Sequence, residues 1–272
     1  MRTRLLAATA VSLLTLCCAE EPGAAQAQAP GLASAGPPGA FPADGDTVVA
    51  EPISYTEEIL GSAPANAPLP MIVLLHGKQG RPENIRRAFA GLRGPARVIV
   101  PRGAPFGGGG YVWWDLHIKD NDPRAFAVAA REATRRMAGL IRQLVRDRPT
   151  LGRPVVSGFS QGAIVAYSLA VLDPDLVSAA FPLSGVLPLG LEPATWPSGT
   201  RMPAVHAFHG GQDPIVPLPL DRDSVARLVA LGLPATLTVY PSMAHVTEPE
   251  EMSVVIPQIE DALRHEAAAP AR

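Results

Sequence analysis

Hydrophobic positions along this chain follow two rhythms. Residues 71–75 are an unbroken apolar run, as a strand covered on both faces requires. Residues 97–100 read as the next strand, stopped by Pro101, and residues 153–157, 177–183, 204–208 and 235–240 give four more. An earlier stretch, 47–59, holds one or two strands interrupted at Pro52. Between the strands the period lengthens. From 122 to 147 the apolar residues Phe126, Ala130, Ala133, Met137, Leu140, Ile141, Leu144 and Val145 recur at three- and four-residue intervals, which predicts a long amphipathic helix ended by Pro149. Residues 82–92, with Pro82 at an early position, also read as a helix, as do 163–172 and 221–231, the last closed by Gly232. A final helix covers 248–266, with Pro249 and Pro257 disturbing its early part. Buried strands alternating with helices predict an α/β fold: a mostly parallel sheet with helices on both faces.

The N-terminus breaks this pattern. Residues 1–29 have the layout of a signal peptide: Arg2 and Arg4, an apolar core over 5–18, and small-x-small sites at Ala25-Gln26-Ala27 and Ala27-Gln28-Ala29. The apolar core is too short for a membrane span. Residues 30–46 are rich in Ala, Pro and Gly and read as a flexible linker. One domain over 47–266 follows, then a disordered tail over 267–272. Both cysteines, Cys17 and Cys18, fall in the leader, so a chain cut after Ala27 carries no thiol for a disulfide, a nucleophile or a metal. The expected location is periplasmic or extracellular. The alternative is a lipid anchor on Cys17 or Cys18, although Leu16 is larger than the residue that normally precedes a lipidated cysteine. A net charge of −2 and a pI near 6.3 give no electrostatic case for nucleic acid.

The chemistry centres on Gly158-Phe159-Ser160-Gln161-Gly162, between the strand at 153–157 and the helix at 163–172. A serine on such a turn is a nucleophile elbow: the hydroxyl stands clear of the sheet, and only very small residues fit two places either side. The pentapeptide is short enough to arise by chance; its context and downstream partners carry the reading. A serine needs a base, and the base needs an acid to orient it. Of six histidines, only His245 and His265 come late enough for the order serine, acid, histidine. His245 follows the strand at 235–240, whereas His265 is expected in solvent near the C-terminus. Asp213 follows the strand at 204–208 in a His-Gly-Gly-Gln-Asp-Pro loop and is the candidate acid, with Asp221 and Asp223 as rivals. The Gln161 N–H should supply one oxyanion donor, and the loop His76-Gly77-Lys78-Gln79-Gly80 the other. His76 is expected to border the pocket and shape that loop. Trp113 and Trp114, next to four glycines at 107–110, suit an acyl or aryl pocket wall; the alternative is that they simply pack onto the domain.

The stretches Leu74-Leu75-His76-Gly77, Pro101-Arg102-Gly103-Ala104-Pro105, Tyr111-Val112-Trp113-Trp114-Asp115, the elbow, 209–217 and 240–245 occur together and in order. In this the chain resembles the phospholipase/carboxylesterase branch of the α/β-hydrolases, which includes the acyl-protein thioesterase-like proteins. The resemblance covers about residues 71–245. It implies an α/β-hydrolase fold with little or no lid, a triad of Ser160, Asp213 and His245, and oxyanion amides from Lys78 and Gln161. It also places the Trp113-Trp114-Asp115 stretch beside the acyl site. Polar Lys78 and Gln79 stand where relatives often carry an apolar residue and a glycine or acid.

The expected function is that of an exported serine carboxylesterase acting on small to medium esters through an acyl-enzyme on Ser160, with no metal or cofactor and a small-molecule ester as its partner. A thioesterase, a polyester or hydroxyalkanoate depolymerase, or a peptidase uses the same fold. A non-catalytic binding protein on the same scaffold is the reading of another class.

Overall fold

A strand buried on both faces can sit only at the centre of a sheet, and this is where the most apolar run lies. β2 (Met71–Leu75) is flanked by parallel neighbours on both sides. The structure, a computed structural model, describes residues 52–120 and 122–268. The expected signal peptide (1–29), the linker (30–46) and residues 269–272 of the expected tail lie outside the described residues.

The elements alternate as expected. β1 (Tyr55–Leu60) is followed by β2, α1 (Pro82–Ala88) and β3 (Ala96–Pro101). A short hairpin, β4 (Ala104–Phe106) and β5 (Gly110–Val112), precedes α2 (Pro123–Asp147). Then come β6 (Val155–Phe159), α3 (Gln161–Leu172), β7 (Ala179–Leu183), β8 (Ala204–Gly210), α4 (Leu218–Ala230), β9 (Ala235–Tyr240) and α5 (Pro249–Ala268). Seven strands form one sheet in the order β1-β3-β2-β6-β7-β8-β9, parallel except for β1. The chain lays strands to one side of β2, then crosses to β6 and builds outward on the other. The crest between β2 and β6 is therefore a topological switch point, where open α/β sheets place ligands.

Alternation along the strands sorts side chains between the two faces. Ile72 and Leu74 of β2, Val98 and Val100 of β3, and Phe181 and Leu183 of β7 pack with Ile85 and Phe89 near α1 and with Met252, Val255, Ile259 and Leu263 of α5. On the other face α3 lies against β6 and β7, with α2 outside it. Every residue of α3 from Gln161 to Val171 is buried, as befits a helix between a sheet and other helices. α2 is amphipathic and is capped by Asp122, whose Oδ1 accepts the Ala125 N–H at 2.9 Å.

Several boundaries differ from expectation. α1 ends at Ala88 rather than residue 92. The elbow strand spans Val155–Phe159 rather than 153–157, because Pro154 has no N–H to give a ladder and the Arg153 N–H donates instead to Glu266 Oε2 (2.8 Å). α4 begins at Leu218, three residues before the expected start, with a proline in its first turn where the ring's fixed φ suits a helix. Residues 267–268, expected in the disordered tail, belong to α5. The hairpin was not expected at all. Among the described residues no helix is long and apolar enough to cross a membrane.

Candidate active site

The strand-to-helix turn after β6 dictates its own composition. Ser160 has φ 54° and ψ −115°, a conformation that costs a non-glycine residue on the order of 1–3 kcal/mol. Its N–H donates to Leu183 O (2.9 Å), and its C=O accepts the Ile164 N–H (3.1 Å), so both neighbouring elements hold the turn. A Cβ on Gly162 would sit 2.2 Å from Leu75 O; no side chain fits between α3 and β2 there.

Two further strand ends bring the partners. The Ser160 hydroxyl and His245 Nε2 are 2.9 Å apart, and His245 Nδ1 meets Asp213 Oδ2 at 2.7 Å. The Ile215 and Val216 amides donate to the other carboxylate oxygen of Asp213 at 2.8 and 2.9 Å. The loops after β8 and β9 are stitched together: Gly211 N–H donates to Tyr240 O (2.8 Å) and Gln212 N–H to Met243 O (2.9 Å). That stitching requires Gly210, where a Cβ would come within 2.3 Å of Met243 O. The arrangement can draw the Ser160 proton onto His245 while Asp213 fixes the ring's other nitrogen.

The oxyanion loop is braced rather than loose. His76 is buried, accepts the Gly103 N–H on Nε2 (3.1 Å), and so carries its proton on Nδ1, which faces Gly77 O at 2.8 Å. Burial lowers its pKa below the ordinary imidazole value and keeps it neutral. It shapes the loop and also borders the cavity at Ser160. Gly80 N–H donates to Gly77 O (2.9 Å), closing a turn that holds Lys78 beside the elbow. Gln161, as the first residue of α3, has an amide without an intrahelical acceptor. The Lys78 side chain turns away to Asp115 (2.8 Å), which leaves its backbone as the part suited to the oxyanion.

Trp113 and Trp114 correct the expectation of a pocket wall. They are only 3% and 8% exposed, and neither lines the cavity that contains Ser160. Trp113 stacks on His76 at 4.6 Å and donates Nε1–H to His76 O at 2.8 Å; Trp114 packs edge-on against Phe126. The Gln161 side chain locks the pair, accepting the Trp113 N–H (3.0 Å) and donating to Trp114 O (2.8 Å). The hairpin carries the glycines at its tip and is anchored through Tyr111 N–H to Gly80 O (3.0 Å), so the aromatics beyond it are framework.

The rival acids and base lie elsewhere. His265 borders a hollow at the amino ends of β7 and β8, on the opposite edge of the sheet. Asp223 is exposed and pairs with Arg227. Asp221 is fully buried against His209 (2.7 Å) and the Tyr167 hydroxyl (2.5 Å). Sequence reasoning missed this second network, because residues 167, 209 and 221 share no spacing that marks them as neighbours.

The cavity at Ser160 has a volume of about 300 Å³ and is lined by Gly77, Lys78, Ile85, Phe159, His245 and Thr247 among others. A larger hollow elsewhere holds Ser178, His206 and His265, but the Ser178 hydroxyl is turned to the backbone carbonyls of Arg153 and Pro154 and His206 Nδ1 meets Thr236 Oγ1.

Comparison with known proteins gives a concordant result. The phospholipase/carboxylesterase family model matches residues 62–263. Acyl-protein thioesterase 1 of Gibberella zeae is 32% identical over 119 residues, which is 43% of this chain and 51% of that protein, so the chain spans about half the length of this relative. Among solved structures, esterase PE8 superposes with a TM-score of 0.67 at 22% identity, covering 78% of this chain and 99% of its own. Zea mays acyl-protein thioesterase 2 superposes with a TM-score of 0.60, also at 22% identity, over 76% and 99% of the two chains. At these identities the likeness of structures is one of fold.

Proposed function

The chain belongs to the phospholipase/carboxylesterase family and has the α/β-hydrolase fold; from that premise we propose that it is an ester hydrolase, an exported serine carboxylesterase that cleaves small to medium esters. The observation that carries this is the continuous chain of contacts from Ser160 Oγ through His245 to Asp213, with the hydroxyl on the wall of a cavity.

In the proposed reaction the substrate carbonyl enters beside Ser160. His245 Nε2 takes the hydroxyl proton as Oγ bonds to the carbonyl carbon. The oxygen becomes an oxyanion held by the Lys78 and Gln161 amides. The bond to the leaving oxygen breaks, and His245 returns its proton to that oxygen, releasing the alcohol. A water then gives its proton to His245 and attacks the acyl carbonyl; the bond to Ser160 Oγ breaks, His245 returns the proton to that oxygen, and the acid is freed. Asp213 stays a carboxylate and steadies the imidazolium in both halves. Ser160→Ala tested on p-nitrophenyl acetate and butyrate should lose about 10⁴-fold or more in kcat/KM and all labelling by a fluorophosphonate. A wild type that neither hydrolyses these esters above the buffer rate nor takes the label would point instead to a binding protein on this scaffold.

Thioester cleavage is the second reading, supported by the 32% identity to an acyl-protein thioesterase. Matched oxygen and sulfur esters of one acid, compared by kcat/KM, decide between the two. For export, the support is the leader-like pattern of residues 1–29. The intact mass of the mature chain separates cleavage after Ala27 or Ala29 from lipidation at Cys17 or Cys18.

A further inference from the structure

We propose that the groove between α1 and the start of α5 is the subsite for the alcohol half of the ester, and that it selects extended apolar alcohols. The proposal rests on the serine-esterase reading above. The cavity at Ser160 runs along α1 past Ile85 to Ala88 and Thr247. A second hollow of about 530 Å³ begins at those same two residues. It continues over Gly91, Met252 and Ile256, with exposed Arg87 and Glu248 at its edges. One path thus leads from the nucleophile across the Ala88–Thr247 saddle to the surface between two helices.

The chemistry says which half of the substrate takes that path. His245 must hand its proton to the leaving oxygen, so the leaving group lies against the imidazole. The saddle is on that side: Thr247 is two residues beyond His245 and lines both hollows. The oxyanion amides of Lys78 and Gln161 belong to the oxyanion loop and the start of α3, and neither residue lines the hollow beyond the saddle. The walls say what kind of alcohol fits. Ala88, Gly91, Pro249, Met252, Ile256 and Pro257 make a strip without side-chain hydrogen-bonding groups, on which methylenes or an aromatic ring lose contact with water; Arg87, Thr247, Glu248 and Ser253 add polar groups to the lining. Gly91 keeps the floor low, since a Cβ there would stand 2.7 Å from Ile256 Cδ1.

Complete burial of a methylene is worth about fourfold in affinity; an open groove covers one side of the chain, so about twofold per methylene is expected. The test uses acetate esters that differ only in the alcohol, from methyl through butyl and hexyl to 2-phenylethyl, alongside p-nitrophenyl esters that differ only in the acyl chain. For the wild type, kcat/KM should climb with alcohol length. Ser253 lies on the groove and is exposed, so Ser253→Trp fills it without entering the Ser160 cavity, and Ser253→Glu places a charge at its edge. Both should flatten the alcohol series about tenfold at hexyl, through KM, while methyl acetate, whose alcohol does not reach the groove, is hydrolysed as before. A flat wild-type alcohol series, or a Ser253→Trp and Ser253→Glu pair with unaltered profiles, overturns the proposal while leaving the esterase reading intact. Wild-type hydrolysis that survives Ser160→Ala overturns the esterase reading instead.

Discussion

Two histidines share the carboxyl edge of this sheet, and each sets Nδ1 against an aspartate oxygen at 2.7 Å: His245 on Asp213, His209 on Asp221. By the pair alone they are indistinguishable. They differ in what the other nitrogen meets. Nε2 of His245 faces the Ser160 hydroxyl at 2.9 Å, whereas Nε2 of His209 faces Val216 O, also at 2.9 Å, and lies 3.4 Å from Asp213 Oδ2. A hydroxyl can give up a proton; a carbonyl only accepts one. His209 must therefore keep a proton on Nε2, and it has no proton to collect. It is also sealed from solvent, while the His245 side chain is 14% exposed. Burial alone would pull the His209 pKa down, but the hydrogen bond and charge of Asp221, the Val216 carbonyl and the charge of Asp213 outweigh it and hold that pKa above the ordinary imidazole value. A His–Asp pair is thus a base or a brace according to its third partner and its access.

Swapping the same substitution between the two pairs gives the largest contrast. His245→Gln and Asp213→Asn should each lower kcat/KM by about 10⁴-fold, with melting temperature nearly unchanged. Asp221→Asn should lower kcat/KM by less than about tenfold and act on stability. Equal catalytic losses at Asp213 and Asp221 would erase the distinction between base and brace.

His209→Gln is the next largest effect. It leaves Asp221 buried without its ionic partner, a change that costs on the order of 3–5 kcal/mol. The loss should depend on pH. The folded pKa of His209 lies above the unfolded one, so its stabilising contribution is complete below about pH 6.5 and fades as pH rises through the folded value. The gap in melting temperature between wild type and His209→Gln should accordingly be wider at about pH 5.5 than at about pH 9. A gap that is constant across this range would mean His209 is neutral in the native protein.

How much of this was readable beforehand follows from which forces leave a local trace. The elbow was legible because sterics force glycines around Ser160, and Asp213 and His245 because each follows a buried strand that ends in a marked loop. The sheet was legible because two covered faces demand apolar runs such as residues 71–75. The brace was not: Tyr167, His209 and Asp221 meet only through tertiary packing, and His209 reads as part of the glycine loop. The burial of Trp113 and Trp114 was likewise hidden, since adjacent glycines suggest mobility whether or not a hairpin pins them. Acidic residues at 248–251 look like favourable charges at a helix start, yet Glu251 is fully buried and, among the described residues, no side chain hydrogen-bonds its carboxylate, which has only the Glu248 backbone against it.

Glu251 extends the comparison to a group that has neither a histidine nor a hydroxyl partner. Burial pushes its carboxyl from the ordinary 4.5 up to about 7. The folded state therefore holds this proton more tightly than the unfolded chain does. Stability from this group is complete below about pH 4.5 and is lost as pH climbs past 7, by about 3 kcal/mol in the limit. Glu251→Gln removes the titration. Its melting temperature relative to wild type should rise steadily from about pH 4.5 to about pH 8; a flat difference would mean that Glu251 finds a partner in solution.

The smallest expected effect separates the two pairs from the far end. The Tyr167 hydroxyl, on fully buried α3, donates to Asp221 Oδ1 at 2.5 Å, and burial beside that carboxylate drives its own pKa well up, so it always has a proton to give. Tyr167→Phe keeps the ring's packing and deletes one hydrogen bond to a charged group, worth about 2 kcal/mol. With less support Asp221 should bind a proton more readily, which weakens its hold on His209. The loss should therefore be visible in chemical denaturation while kcat/KM on p-nitrophenyl acetate stays within about threefold of wild type, since Asp213 keeps its own amide donors from Ile215 and Val216. A fall in kcat/KM as large as that of Asp213→Asn would show that the brace and the base are one unit and that the partition between them is wrong.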